Sequence, residues 1–425
     1  MTTDVGIQYF SHLNGLILGN NWGDLIRMLD KALVTGIDFP QISTATINAQ
    51  GDVEINLIAA HNATLFQIVE LTGFTPESLN QKYRIKGVPS TTQLVLKPKN
   101  EILETVVVTE GTGKLTSLGY DIIFRDAGDV KRVYRAKSPT AQHPFIRVDE
   151  SLSGEGGGTY AATYAKYAMV GLLEHMDHID DYANPNVLQL PFNPTDPAQN
   201  WKISGTGTSV VRGWSRWYWR RNVGPYANGI DTSAPSTGNS KFTLVGDKDA
   251  FYLNNTFTAS DDDKVLKGCG IVNSAQPTDN IPPWFLLGYL NTNTPNDYIN
   301  FAQANGTTPL LISSNYGYIF MPKYDIVSRI SPHQLAYGIM QDYFSGFSGL
   351  YDINNVAALE IPINDQQSYL RGTFKHIHYC GKKTSTVSNA APIVADTSMY
   401  ILDTGVRRQN SGGAFTAFYY YLGEL

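Results

Sequence analysis

The sequence is poor in charge, in cysteine and in long apolar runs, and each shortage excludes a class of protein. Charged residues make up 16 % of the 425 residues, and the net charge of −6 creates no general attraction to nucleic acid or anionic membranes. The two cysteines, Cys269 and Cys380, are too few for a secreted scaffold held together by disulfides. Two reduced thiols are therefore expected, with one long-range disulfide as the alternative.

Targeting and membrane-spanning patterns are also missing. The N-terminus reads MTTDVGIQYFSHLNG and lacks the basic region and apolar core of a signal peptide. Apolar runs such as WFLLGYL are far shorter than the ~20 residues that a membrane helix needs. The sequence therefore predicts a protein made in a cytosol and not inserted in a membrane.

Catalytic motifs are equally scarce. The chain contains no GxSxG and no HExxH, and its glycine-rich stretches GTGTS and GEGGG have no lysine at phosphate-loop spacing. No repeat of solenoid or propeller period is present. The sequence predicts a protein that is not an enzyme and holds no cofactor.

What the chain has in abundance favours strands and turns. It contains 25 tyrosines and 38 glycines, and aromatic residues make up 12 %. Because these residues suit strands and tight turns, we predict a mainly β fold with small barrel or sandwich modules and long loops. The predicted parts are an N-terminal segment (1–36), a small β-module (37–100), a larger β-domain (101–255) and a C-terminal β-rich domain (256–425).

One amphipathic helix is predicted between Gly19 and Gly36. Leu25 and Leu29 recur at helical spacing, Asn20 or Asn21 can cap its start, and Gly36 suits the residue after its end. Its apolar face must dock either on a sheet of the same chain or on a neighbouring subunit. Strands are predicted after it in DVEINLIAA, LFQIVELTG, KYRIKGV, TQLVLKPK and ETVVVTEG, and in the hairpin DIIFRD–VKRVYRA.

Two histidine pairs are weak candidates for a metal site. In EHMDHIDD, His175 and His178 would share the face of a helix beside several aspartates, but on a strand they would point apart. In KHIHYCG, His376, His378 and Cys380 would project from one face of a strand. Solvated or half-buried structural histidines explain both patterns better, so no metal is predicted.

The run VVRGWSRWYWRRN combines basic and aromatic residues. Such a mixture occurs in grooves that bind single-stranded nucleic acid, and it also occurs in protein interfaces. The acidic total charge favours the second interpretation. We therefore predict a protein interface that contains Trp214, Arg216, Trp217, Trp219 and Arg220, together with Leu25 and Leu29 of the helix.

The first 255 residues resemble a family of tailed-bacteriophage virion proteins. The helix GDLIRMLDKALVTGI leads into a β-module that matches the family at Ala60, His61, Gly73, Thr75, Pro76, Leu79 and Asn80. Two later elements match at Gly119, Tyr120, Phe124, Val133, Tyr134, Arg135, Arg147, Val148 and Asp149, and at Gly246, Asp247, Phe251, Tyr252 and Leu253. The chain departs from the family beside His61, where a glycine is missing, and at AGDVKRV.

This resemblance implies a structural subunit of the virion and no catalytic residues. The implied product is a symmetric ring on the tail, at the neck, collar or baseplate, with other virion proteins and copies of itself as partners. The alternatives are a receptor- or carbohydrate-binding tail appendage and a glycan-degrading enzyme. His61 is then expected to end a strand and to support the turn TGFTPESLN through hydrogen bonds.

Overall fold

The computed structural model is mainly β, as predicted, and describes residues 3–225, 229–290, 318–325, 327–339, 358–383, 387–407 and 415–425. The first strands are β1 (Gln8–Ser11), β2 (Ile37–Asp38), β3 (Ile42–Ile47), β4 (Val53–Leu57), β5 (Ile68–Thr72), β6 (Lys82–Ser90), β7 (Gln93–Pro98) and β8 (Thr112–Leu115). Strands β2 to β8 form an antiparallel sheet in the order β2-β8-β5-β6-β7-β4-β3. In β4, buried and half-buried residues alternate, which confirms the period-two pattern read from the sequence.

A larger sheet takes up most of the remaining chain. Its middle strands are β9 (Tyr120–Arg125), β10 (Lys131–Ala136), β11 (Phe145–Asp149), β12 (Lys166–Leu173), β13 (Gln189–Leu190), β16 (Ser215–Arg220), β17 (Phe242–Gly246) and β18 (Ala250–Asn255). Two short strands, β14 (Ile203–Ser204) and β15 (Val211–Arg212), lie outside this sheet and pair only with each other. The predicted hairpin is confirmed, since β9 and β10 are antiparallel neighbours. Strand β1 also belongs to this sheet, where it pairs with β17.

The last strands continue the same sheet. They are β19 (Val265–Ile271), β20 (Asn273–Ser274), β21 (Trp284–Leu290), β22 (Tyr318–Met321), β23 (Gln334–Gly338), β24 (Leu359–Asp365), β25 (Leu370–Lys383), β26 (Ala391–Ala395), β27 (Ser398–Arg407) and β28 (Phe415–Glu424). The smaller sheet thus runs past 100 to Leu115, and the larger sheet crosses the predicted boundary at 255 through the β18–β19 pairing.

The predicted helix is present between Gly19 and Gly36, but it is less regular than expected. An α-helix, α1, spans Asp24–Leu29 and continues as a π-helix over Asp30–Thr35. Single-turn 3₁₀ helices cover His12–Asn14, Glu77–Leu79, Pro197–Trp201 and Gly207–Ser209. Within the described residues, no helix is long and apolar enough to cross a membrane.

The start of α1 is capped from a distance and not by its own flank. Gly23 is the N-cap residue, and no local side chain caps it. Instead the carboxylate of Glu150 accepts hydrogen bonds from the backbone N–H groups of Gly23 and Ile26. The predicted caps Asn20 and Asn21 are therefore wrong, because a buried residue far along the chain supplies the acceptors.

The apolar core joins the helix to both sheets. Leu25 and Leu29 are fully buried in one cluster that also contains Ile55 of β4 and Leu244 of β17. Of the two docking modes left open by the sequence, α1 uses the one within its own chain.

Candidate assembly surface

The predicted interface tryptophans lie inside the molecule. Trp217 and Trp219 are fully buried, and their indole N–H groups donate to the carbonyl oxygens of Leu287 (2.9 Å) and Gly19 (3.1 Å). Strand β16 lies between β12 and β21 in the larger sheet, and all six of its residues are buried. The prediction that these tryptophans form an intermolecular interface is therefore wrong, because they pack in the core.

The arginines of the same run are buried as well. Arg216 forms an ion pair with Asp231 at 2.8 Å and lies over the ring of Tyr167. Arg220 donates to the backbone oxygen of Thr237 at 3.0 Å. The predicted interface role is wrong for both arginines, because a partner cannot reach their buried side chains. It is wrong for the buried Leu25 and Leu29 for the same reason.

Trp214 is the member of this run that keeps partial exposure. Its ring packs edge-on against the imidazole of His333, with 4.8 Å between ring centroids. It therefore lies at the margin of the core and does not form an exposed anchor.

The first histidine pair does not act together. His175 and His178 lie in a loop after β12, on neither a helix nor a strand. His175, Asp177 and Asp181 have ligand atoms within 4.8 Å of one another, whereas Nδ1 of His178 faces the backbone N–H of Asp180 at 3.3 Å. The shared helix face that would have made these two histidines a candidate pair does not form, because both lie in a loop.

The second pair is separated by a backbone irregularity in β25. His376 has a positive φ of 62° and its Nε2 lies 3.1 Å from a carboxylate oxygen of Asp247. His378 packs its ring against Tyr400 and Tyr421, and burial lowers its pKa. Since the irregularity breaks the alternation, the predicted shared face does not form.

Of the two cysteines, only Cys269 has a described side chain, and it joins no group of possible metal ligands among the described residues. Cys269 is a free, fully buried thiol, and burial raises its pKa well above the ordinary range. The side chain of Cys380 lies outside the described residues.

His61 has a structural role. Its Nδ1 accepts a hydrogen bond from the backbone N–H of Ala63 (2.9 Å), and its Nε2–H donates to the carbonyl of Ser90 (3.1 Å). Burial lowers its pKa, which favours this neutral form. Because both ring nitrogens are occupied, His61 supports the loop between β4 and β5 and has no nitrogen left to bind a metal or take up a proton. The expectation that it ends a strand and supports the turn TGFTPESLN is wrong, because β4 ends at Leu57 and the Asn80 side chain holds that turn through both backbone groups of Phe74.

Exposed apolar side chains are concentrated on a connecting segment between β7 and β8, which we call the ridge segment (Glu101–Glu110). Leu103, Val106 and Val108 are 84 %, 66 % and 73 % exposed. Val107 faces inward and packs on the core, so the segment is held in place with its apolar residues outward. Clusters of exposed apolar residues mark interaction sites more often than single ones do.

The backbone of the ridge segment has few partners. Val108 N–H donates to the carbonyl of Thr75 at 2.8 Å, but residues 105–107 form no backbone hydrogen bond to another described residue. The predicted strand in ETVVVTEG is paired only at its end, through a single antiparallel bridge between Thr109 and Thr75, and its residues 105–107 have no strand partner among the described residues. Its Val and Thr content still suits a strand, so the segment offers unpaired N–H and C=O groups beside exposed valines.

Strand β3 provides a second open edge on the same module. It pairs with β4 alone, and its sequence ISTATI contains neither charge nor proline. Proteins usually protect exposed edges with charged residues or proline. Two longer strands with one neighbour do follow that rule, since β9 carries Asp121 and Arg125 and β26 carries Pro392.

A cavity of about 490 Å³ separates the two features. One wall is the end of β3 with the β3–β4 turn, Ile47–Asp52, and the other is the start of the ridge segment. Asp52 in this turn is fixed by an ion pair with Lys86 at 2.5 Å. The ridge segment and the β3 edge therefore belong to one continuous surface of the smaller sheet.

Comparison with known proteins adds little to this picture. No protein-family model matches the chain, and none of the curated proteins does. Among solved structures, the chain matches one described as phage phi92 endosialidase, with 10 % identity and a TM-score of 0.14. The match covers 99 % of this chain and 52 % of that chain, so the chain spans about half of its length. A likeness this weak carries no argument about function.

Proposed function

We propose that the protein is a structural subunit of a bacteriophage virion that forms a symmetric ring on the tail, at the neck, collar or baseplate. The observation that carries this proposal is the ridge segment, with three exposed apolar side chains and a backbone that is unpaired over residues 105–107, next to an open strand edge. The order of four family-like elements in the first 255 residues supports the virion as the location. The protein is then synthesised in the host cytoplasm and incorporated into the particle.

The energetic argument favours burial of this surface in an assembly. Covering one exposed Leu or Val side chain contributes roughly 1.5–3 kcal/mol, and pairing an open edge satisfies backbone groups that otherwise depend on water. A monomer gains nothing from holding Leu103, Val106 and Val108 outward. A subunit that contacts a neighbour through them gains the free energy of apolar burial and that of pairing the open edge.

The arrangement is compatible with a ring. The ridge segment and the β3 edge are unlike parts of one surface, and a contact in which the ridge segment of one subunit meets the β3 edge of the next subunit is heterologous. Repeated heterologous contacts produce closed rings when the rotation between subunits closes. The expected partners are copies of the same chain and neighbouring tail, neck or baseplate proteins, with no role for nucleic acid or membrane.

The experiment substitutes two residues of the ridge segment and measures the self-association of the protein. Val106→Glu with Val108→Glu should weaken self-association by about tenfold or more, since each loss of 1.4 kcal/mol changes the equilibrium constant tenfold. Light scattering after size exclusion, over a concentration series, gives the oligomeric state. Val327→Glu is the matched control, because this valine is 90 % exposed outside the module and should leave association unchanged.

Particles provide the second readout. Phage that lack the protein should have an incomplete neck or tail when imaged, and a reconstruction should locate the protein there. Complete particles in its absence, or equal association of the two variants, would contradict the structural role.

The carbohydrate-binding alternative is less well supported. Such sites commonly stack aromatic rings on sugars, yet all six tryptophans lie in the described part of the chain and each is at least partly buried. Release of reducing sugar from host surface glycan would favour the glycan-degrading alternative over the structural one.

A further inference from the structure

Three polar residues meet in the dry interior where β18 and β19 face β27. They are Asn254 of β18, Lys264, one residue before β19, and Asp403 of β27, and all three are fully buried. In the β18–β19 register Asn254 lies opposite Leu266. Continuing that register places Lys264 diagonally across from Asn254 on the same face of the two strands.

The Asp403 carboxylate joins the other two side chains. Its Oδ1 accepts from Nζ of Lys264 at 2.5 Å, and its Oδ2 accepts from Nδ2 of Asn254 at 3.0 Å. The backbone N–H of Thr404 also donates to Oδ1, at 2.9 Å. Oδ1 of Asn254 has no hydrogen-bond partner among the described residues.

Burying these three groups lowers the stability of the fold if they stay chemically unchanged and only contact one another. A fully buried ion pair recovers little of the free energy lost when its charges leave water. A buried carbonyl oxygen without a donor costs a further ~1–3 kcal/mol. A reaction that removes the lysine charge would relieve the larger of these two costs.

We propose that Lys264 and Asn254 form an intramolecular amide cross-link, with Asp403 as the group that transfers the proton. Asp403 takes a proton from the Lys264 ammonium, and the free amine attacks Cγ of Asn254. A bond forms between Nζ and Cγ, the protonated Asp403 passes its proton to Nδ2, and the bond between Cγ and Nδ2 breaks to release ammonia. Asp403 then takes the remaining extra proton from Nζ, so the products are the Lys264–Asn254 amide, one ammonia molecule and the neutral carboxylic acid of Asp403, and no buried charge is left.

The opposite face of the same strands holds a natural comparison. Nζ of Lys267 lies 2.5 Å from Oδ1 of Asn255 and 3.2 Å from the carbonyl of Val265, and both side chains are fully buried. Among the described residues, Lys267 forms no hydrogen bond or ion pair with a carboxylate, and burial lowers the pKa of its amine well below the ordinary range. This pair therefore has a lysine and an asparagine in contact but no acid to move the proton.

The cross-link does not depend on the proposed function. It joins two strands of one chain and would be present in the free subunit as well as in an assembly.

The experiment is mass spectrometry of the purified full-length chain. The intact mass should be lower than the sequence mass by the mass of one ammonia molecule, and digestion should release a branched peptide that joins Lys264 to Asn254. Asn254→Ala, Lys264→Arg and Asp403→Asn should each restore the full mass, while Asn255→Ala should keep the deficit.

Each other outcome overturns the proposal. An unmodified wild-type chain excludes the cross-link without any variant, so poor folding of the variants leaves the test intact. A deficit of one water molecule would indicate an amide between Lys264 and Asp403, and a deficit that disappears in Asn255→Ala would assign the bond to the other face.

Discussion

Buried charges in this chain are stabilised by groups that lie far away in sequence. Arg147 contacts carboxylate oxygens of Asp149 (2.9 Å) and Asp180 (2.6 Å), and its guanidinium lies over the rings of Tyr182 and Trp201. The family resemblance picked out Arg147 and Asp149 by position. It could not supply Asp180, Tyr182 or Trp201, because a contact between separate loops and strands leaves no spacing signal in the sequence.

Glu150 gives the clearest residue-scale prediction. Its burial raises the pKa from the ordinary 4.5 to about 7, although the N–H groups of Gly23 and Ile26 oppose the shift. A carboxyl with a raised pKa binds more protons when folded, so its contribution to stability is greatest at low pH and is lost as pH rises through about 7. Glu150→Gln cannot ionise and also loses one of the two acceptors, at a cost of roughly 1–3 kcal/mol.

The free energy of unfolding should therefore respond to pH differently in the two proteins. The wild type should have a higher free energy of unfolding than Glu150→Gln at about pH 5, and this difference should become smaller by about pH 8. Urea unfolding at each pH measures the difference. The exposed Glu77→Gln is the control and should follow the wild type. Parallel curves for wild type and Glu150→Gln would contradict the assignment.

At the scale of elements, the sequence predicted which segments are strands better than it predicted which strands pair with each other. Alternation identified β4, and the turn between β9 and β10 identified a hairpin. The ridge segment has the same composition as a paired strand but is bridged only at Thr109, to Thr75, and pairing is a long-range property. The WYW run was misread because three large consecutive residues indicate a strand covered on both faces, a signal that the basic neighbours concealed.

The end of the helix at Gly36 is a feature that the sequence did predict. It ends the π-helix with a φ of 73°, and a Cβ at this position would overlap the carbonyl oxygen of Leu115 in β8. Gly36→Ala should therefore lower the free energy of unfolding by at least about 2 kcal/mol, from the left-handed backbone and the overlap together.

Chemical denaturation measures this loss. Gly154→Ala is the matched control, because a Cβ there meets nothing within 4 Å, and it should be neutral. Equal stability of the two variants would show that the helix exit tolerates a side chain.

At the scale of the whole molecule, one arginine connects the two sheets. The guanidinium of Arg84, in β6, donates to the carbonyl oxygens of Asp4, Ile7 and Phe66, and to that of Leu422 in β28. The side chain is fully buried, and burial lowers its pKa to about 10. No sequence pattern indicates this role, since Arg84 stands in an ordinary alternating strand.

Arg84→Lys should uncouple the smaller sheet from the rest. A lysine keeps the charge but cannot direct donors at four carbonyls, so we expect a loss of roughly 2–4 kcal/mol. Thermal unfolding followed by calorimetry should show a lower transition temperature. Arg27→Lys, at a half-exposed ion pair with Asp24, should change it little.

The pairing of β1 with β17 has a consequence for the order of folding. Gln8 lies beside Gly246, and the whole smaller sheet is encoded between these two strands. During synthesis β1 leaves the ribosome early and has no partner until β17 follows, whereas β2 to β8 are contiguous and can pair as soon as they emerge. We therefore expect the smaller sheet to become protected from hydrogen exchange first and the larger sheet to close slowly, since pairings over long sequence distances delay folding.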